Sequence, residues 1–216
     1  MGVDLNTLFT IIISAIFVNN YVLARFLGLC PFFGVSKSTD AALGMGMAVT
    51  FVMTIASAAT WVTYNYVLLP GPSNIFGSVF PGVAETGMVD VLKTISYILI
   101  IAALVQLVET VMKKMTPALY DSLGIYLPLI TTNCAILGVA LLGTTNAPAH
   151  LSILEATVQG FAGGIGFTLA LLLMSGVRER LILLDLPKSF RGVPIAFISA
   201  SMMALAFMGF SGMVSW

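Results

Sequence analysis

Residues 8–29 read LFTIIISAIFVNNYVLARFLGL, and Cys-Pro-Phe-Phe-Gly-Val follows directly at 30–35. A helix crosses the hydrocarbon core of a bilayer in about 20 apolar residues, so the run from Leu8 to Val35 is too long for one ordinary crossing. It also carries Asn19, Asn20 and Arg25, and Pro31 stands immediately after Cys30. Proline lacks a backbone donor, and an asparagine side chain can satisfy backbone groups that a helix break sets free. The stretch therefore predicts a first membrane span that breaks around Asn19 and Asn20, with its second part seated back in the membrane. Without such a break, Cys30 lies near one end of its span.

The rest of the chain suits the same solvent. Of 216 residues, 59% are hydrophobic and 8% charged, and the mean hydropathy is +1.05; soluble domains carry roughly 25% charged residues. Nine basic residues balance nine acidic ones, so the clustered positive surface that nucleic acid requires is missing. The opening MGVDLNT has no basic n-region and leads into a long apolar run without a small-residue cleavage site, so the first span is expected to be retained. Apolar runs and their polar breaks predict six spans, at 8–29, 42–63, 95–112, 123–142, 156–176 and 194–214. The stretch 64–93 between the second and third, rich in Gly and Pro, reads as an irregular surface loop.

Alternating the segments across the bilayer collects Arg25, Lys37, Lys113, Lys114, Arg178, Arg180, Lys188 and Arg191 on one side and Lys93 alone on the other. Such a bias orients the basic side toward the cytoplasm and both termini outside. An odd number of spans destroys the asymmetry. Trp61 and Trp216 then fall at outer span ends, where amphipathic rings settle.

The only other cysteine opens Cys-Ala-Ile-Leu-Gly-Val at 134–139, a second C-x-x-x-G-V. Three spans separate the copies, so they enter the membrane from opposite sides, the pattern of an inverted repeat. GMGMAVTF at 44–51 echoes GGIGFTLA at 163–170. The expected fold is thus an all-α, polytopic membrane protein of six transmembrane helices, built as two inverted three-helix repeats (residues 1–115 and 116–216) with broken helices carrying the cysteines. The fourth span has its own break signals in Pro128, Thr131, Thr132 and Asn133. Polar clusters of this kind are expensive in a bilayer unless they serve a site.

Thiolates are soft ligands suited to zinc, copper(I) or iron–sulfur centres. Iron–sulfur clusters need about four protein ligands, and this chain offers two cysteines and the single His150 in an outer loop; any cluster must be completed by a second protein. Residue chemistry leaves three readings of Cys30 and Cys134 open: a shared metal site, an intrachain disulfide in a scaffold, or two inert buried thiols. The inverted repeat and broken helices by themselves also suit a secondary transporter. Every Asp and Glu lies at or near a span end, and Glu109 stands four residues before Lys113, the spacing of an ordinary helix pair. Gly44-x-Gly46 and Gly164-x-Gly166 lie inside apolar spans and read as close helix packing, not as a nucleotide loop. Met202, Met203, Met208 and Met213 read as packing.

The strings FVNNYVLARFLGLCPFFGVSKS at 17–38, GIYLPLITTNCAILGVALL at 124–142, GMGMAVTFVMT at 44–54, VQLVE at 105–109, GVRERL at 176–181, and FRG at 190–192 followed by an apolar run ending MALAFMGFSG resemble the A-type membrane protein of the Rnf complex nearly end to end. That complex is an ion-translocating ferredoxin:NAD oxidoreductase of bacterial and archaeal cytoplasmic (inner) membranes. The E subunit of the sodium-pumping NADH:quinone oxidoreductase shares much of the pattern, including the long loop. The resemblance implies pairing with the homologous Rnf E subunit, next to further membrane, flavin and iron–sulfur subunits. It also implies a 2Fe-2S cluster held between the two homologues, each giving two cysteines; onto this chain that carries only to Cys30 and Cys134. A chain of this kind relays electrons and contains no complete active site of its own.

Overall fold

A computed structural model of the chain describes residues 5–68, 88–115, 127–145, 152–184, 187 and 189–210. Every regular element among them is helical: α1 (Leu5–Ile13), α2 (Leu29–Val35), α3 (Thr39–Thr63), α4 (Met88–Met115), α5 (Leu127–Thr131), α6 (Cys134–Thr145), α7 (Ile153–Ile182) and α8 (Val193–Met208). Helix α1 runs on as a π-helical turn, Ser14–Val18, and α3 as another, Tyr64–Leu68.

Three of these are long and apolar enough to cross a bilayer: 39–66, 93–111 and 153–182. The 30 residues of α7 reach about 45 Å, beyond the roughly 30 Å of a hydrocarbon core. Large apolar side chains on the outer faces, among them Phe9, Phe51, Leu99, Leu107 and Leu205, are exposed. In water they would carry a heavy hydration penalty; in lipid they do not.

Helices α3 and α7 form the centre, packed antiparallel. At one end the Glu179 carboxylate accepts hydrogen bonds from the Thr39 N–H and hydroxyl. At the other the Ser57 hydroxyl donates to the Ala156 carbonyl at 2.6 Å. Glycine makes the approach possible. A Cβ at Gly46 would stand 2.5 Å from Thr168 Cγ2, and one at Gly164 would stand 2.5 Å from Thr50 Cα. The contact is reciprocal: Thr50 donates to Gly46 O, Thr168 donates to Gly164 O, and the two hydroxyls lie 3.2 Å apart. This is the close packing expected, made by one glycine of each pair, but Gly46 and Thr50 correspond to Gly164 and Thr168, one residue away from the register in which the sequence echo aligns. Apolar helices match in several registers by letter, and only the steric fit of glycine against threonine selects one.

The first span breaks where expected, between the π-turn ending at Val18 and the start of α2. Nine α-helical and five π-helical residues reach only about 21 Å, so α1 does not complete a crossing alone. The fourth span breaks at Thr132 and Asn133, between α5 and α6. Other boundaries shift. Residues 64–68 and 88–93, assigned to an irregular loop from the sequence, are helical, because polar residues at a membrane surface do not stop a helix as they stop an apolar run. Helix α7 begins at Ile153 and ends at Ile182, outside its predicted 156–176 at both ends, and a capping box between Ser152 and Glu155 sets its start. The methionines of α8 divide: Met203 packs against the core, while Met202 and Met208 face outward. His150, Trp216, Met213 and residues 123–126 lie outside the described residues.

Candidate functional site

Asn20 organises the break that precedes Cys30. It is fully buried. Its amide nitrogen donates to Ile16 O at 3.0 Å and to Gly166 O at 2.8 Å, and its Oδ1 accepts from the N–H groups of Val22 and Leu23 at 3.0 and 3.3 Å. One side chain thus satisfies a carbonyl where the helix stops, donors where the chain resumes, and a carbonyl of α7. Asn19 donates to the Ser14 hydroxyl at 3.1 Å. Between them and α2 the backbone turns on its own bonds, Ala24 N–H to Asn20 O and Leu27 N–H to Tyr21 O. Two residues there are left-handed, Phe26 at φ 57° and Gly28 at φ 78°.

These turns return the chain to the second cysteine. The Gly28 N–H donates to Cys134 Sγ at 2.9 Å, across 106 residues of sequence. The position that a Cβ of Gly28 would take lies 3.0 Å from Asn133 Oδ1, 3.1 Å from Ala135 Cβ and 2.8 Å from Phe167 Cε2. Gly28 is therefore wedged against both neighbours of Cys134 and the edge of a buried ring. Cys30, two residues on, and Cys134 each sit in the first turn of a helix, α2 and α6. Both thiols are free and exposed. The chain break thus seats the segment that precedes Cys30 against the segment of Cys134.

Asn133 adds a second polar feature. Its Oδ1 accepts the Ala135 N–H at 3.0 Å, which fixes the amide orientation, and its buried Nδ2 meets no acceptor among the described residues. Thr132, also anticipated as a satisfier of the break, donates to Pro128 O at 3.0 Å. The far end of α2 is held by Arg178, whose Nη1 donates to Phe33 O at 2.8 Å and to the Ser36 hydroxyl at 2.9 Å. A cation on the last carbonyls of a helix satisfies groups that have no partner within it.

Chemically the site offers two soft donors on adjoining segments, open to the surface, with a backbone N–H already on one sulfur and an orphaned amide donor beside it. Among the described residues no three His, Cys, Asp or Glu side chains gather. The residues present fit the ligand chemistry of an iron–sulfur centre: two soft thiol donors, with a backbone N–H on one of the sulfurs. Sequence reasoning marked Cys30, Cys134, Asn20 and Asn133 but missed Gly28 and Arg178. Gly28 is one of 20 glycines, and its partner is remote in sequence.

The family described as Rnf-Nqr subunit, membrane protein, matches residues 8–214. The A-type component of an ion-translocating oxidoreductase complex from Syntrophotalea carbinolica is 52% identical over 210 residues, spanning 97% of this chain and 99% of that protein. Its counterpart in a Na(+)-translocating ferredoxin:NAD(+) oxidoreductase complex from Acetobacterium woodii is 53% identical over 207 residues, 96% and 98% of the two chains. The counterpart in a proton-translocating ferredoxin:NAD(+) oxidoreductase complex from Clostridium ljungdahlii is 50% identical over 206 residues, 95% and 97% of the two. With coverage this complete and helices of membrane-crossing length and polarity, the chain is a multi-pass membrane protein that belongs to the Rnf-Nqr subunit family.

Proposed function

We propose that this chain is the A-type membrane component of an ion-translocating ferredoxin:NAD oxidoreductase, and that Cys30 and Cys134 supply half of the ligands of a 2Fe-2S cluster shared with the homologous E subunit. The observation that carries the reading is the 2.9 Å hydrogen bond from the Gly28 N–H to Cys134 Sγ, with both thiols free and exposed. A disulfide scaffold has no use for thiols left open to the surface, and inert core cysteines would be buried. When bound, the cluster supplies a one-electron relay between the redox centres of neighbouring subunits. The chain's part is to present the two sulfurs: Asn20 holds the break, Arg178 anchors α2, and Asn133 caps α6.

The same reading has the chain as two inverted halves, 1–115 and 116–216, in the cytoplasmic membrane with both termini outside. The reciprocal fit of Gly46 on Thr168 and Gly164 on Thr50 supports an approximate twofold between α3 and α7. Relatives at 53% and 50% identity carry sodium and proton in their names, so the coupling ion follows from neither.

The test is purification of the chain with its E-type partner, followed by iron analysis, visible absorption and EPR after dithionite reduction. A 2Fe-2S signal at about one cluster per pair is expected, and Cys30→Ser and Cys134→Ser should each abolish it while the pair still assembles. An iron-free pair, prepared anaerobically from iron-replete cells, refutes the reading; a signal that survives the double substitution refutes the ligands. A solute-binding, iron-free protein would instead be a transporter.

A further inference from the structure

We propose that Gly28 is a positioning residue for the cysteine pair, and that its backbone N–H, held on Cys134 Sγ, raises the reduction potential of the shared cluster. The inference rests on the cluster reading above and deepens it.

Three features converge on this one peptide. The N–H to Sγ distance is 2.9 Å, well within the reach of a hydrogen bond to sulfur. The left-handed φ of 78° that aims the N–H is strained for any residue with a side chain. There is also no room for a side chain: a Cβ would fall 2.8 Å from Phe167 Cε2, 3.0 Å from Asn133 Oδ1 and 3.1 Å from Ala135 Cβ. Phe167 is itself fully buried, which leaves its ring little freedom to withdraw. Glycine thus does two things here: it adopts a left-handed conformation without the cost a side chain would bring, and it lets the backbone come within bonding distance of the sulfur.

The sign follows from charge. Adding one electron to a thiolate-ligated cluster increases the negative charge on its sulfurs, so a donor to a ligand sulfur stabilises the reduced form more than the oxidised form. Hydrogen bonds to sulfur are among the levers that set cluster potentials. Removing the Gly28 donor therefore shifts the midpoint negative. A residue that only held the fold together would alter the amount of cluster and not its potential.

The experiment uses the assembled complex reduced with dithionite, which supplies the electron. In the wild-type complex grown with 15N-glycine, electron spin echo envelope modulation of the reduced cluster is expected to lose a 14N coupling and gain the 15N equivalent. In Gly28→Ala complex that has loaded its cluster, the added Cβ pushes the retained N–H off the sulfur, so that coupling should weaken or vanish and the EPR-monitored midpoint should move to more negative potential with it. A modulation pattern indifferent to glycine labelling overturns the proposal, as does a loaded Gly28→Ala complex that has lost the coupling and keeps its midpoint. If Gly28→Ala fails to assemble, the labelling of wild-type protein decides alone. A wild-type complex without any cluster signal overturns the reading beneath it, and that outcome is recognised before any variant is made.

Discussion

Asn20 makes four hydrogen bonds, and all of them bear on the break in the first span. Replacing it with leucine keeps the branching of the side chain but removes its bonds to two N–H groups and two carbonyls. Each such group costs roughly 1–3 kcal/mol, so Asn20→Leu should lower the thermal unfolding midpoint in detergent far more than Asn19→Leu, which removes a single bond to Ser14. Equal midpoints for the two variants would deny Asn20 its special place. Asn20 and Asn133 were legible in the sequence because a buried amide in an apolar run has few uses other than bonding freed backbone. Gly28 was not legible: glycine is common in apolar helices, and its meaning comes from a sulfur more than a hundred residues away, which no local pattern reports. Arg178 escaped for a related reason, since a basic residue at a span end reads first as a topology signal and only the packed structure shows the carbonyl it binds.

The α3 and α7 crossing shows how much of an element's role depends on which atom faces a glycine. At Gly46 the neighbour is the Thr168 side chain; at Gly164 it is the Thr50 Cα, which belongs to the backbone. Gly164→Ala must therefore push the helices apart, whereas trimming Thr168 removes the two nearest atoms from a Gly46→Ala methyl and leaves only the Thr168 Cβ position at 2.9 Å. Thr168→Ala is expected to restore much of the stability lost in Gly46→Ala, while Thr50→Ala should leave Gly164→Ala unrepaired; thermal melts of the single and paired variants measure it. Equal rescue in both would mean the helices do not meet in this register. Existence and order of the apolar helices were readable from hydropathy, because lipid imposes length and polarity directly. Their ends were not. Capping by Ser152 and Glu155, or the helical continuation through Tyr64–Leu68, depends on local hydrogen bonding that a hydropathy average blurs.

Across the whole molecule, Lys37 and Arg178 stand near one end of α3 and Lys93 near the other. Arg178 bonds the Ser36 region next to Lys37, and Lys93, buried over the Tyr64 ring at 5.0 Å, marks the opposite end of α3. A reporter enzyme active only outside the cytoplasm should accordingly be silent when fused after Lys188 and active when fused after Trp216; the reverse pattern inverts the proposed orientation. The open thiols have a consequence for biogenesis. Free and exposed, Cys30 and Cys134 stand within reach of oxidants and of other thiols, and accessible thiolates are the ones that proceed to sulfenic acid and mixed disulfides. On the cluster reading proposed above, a newly inserted copy is thus a perishable intermediate, whose useful lifetime is set by how soon iron, sulfide and a companion protein arrive.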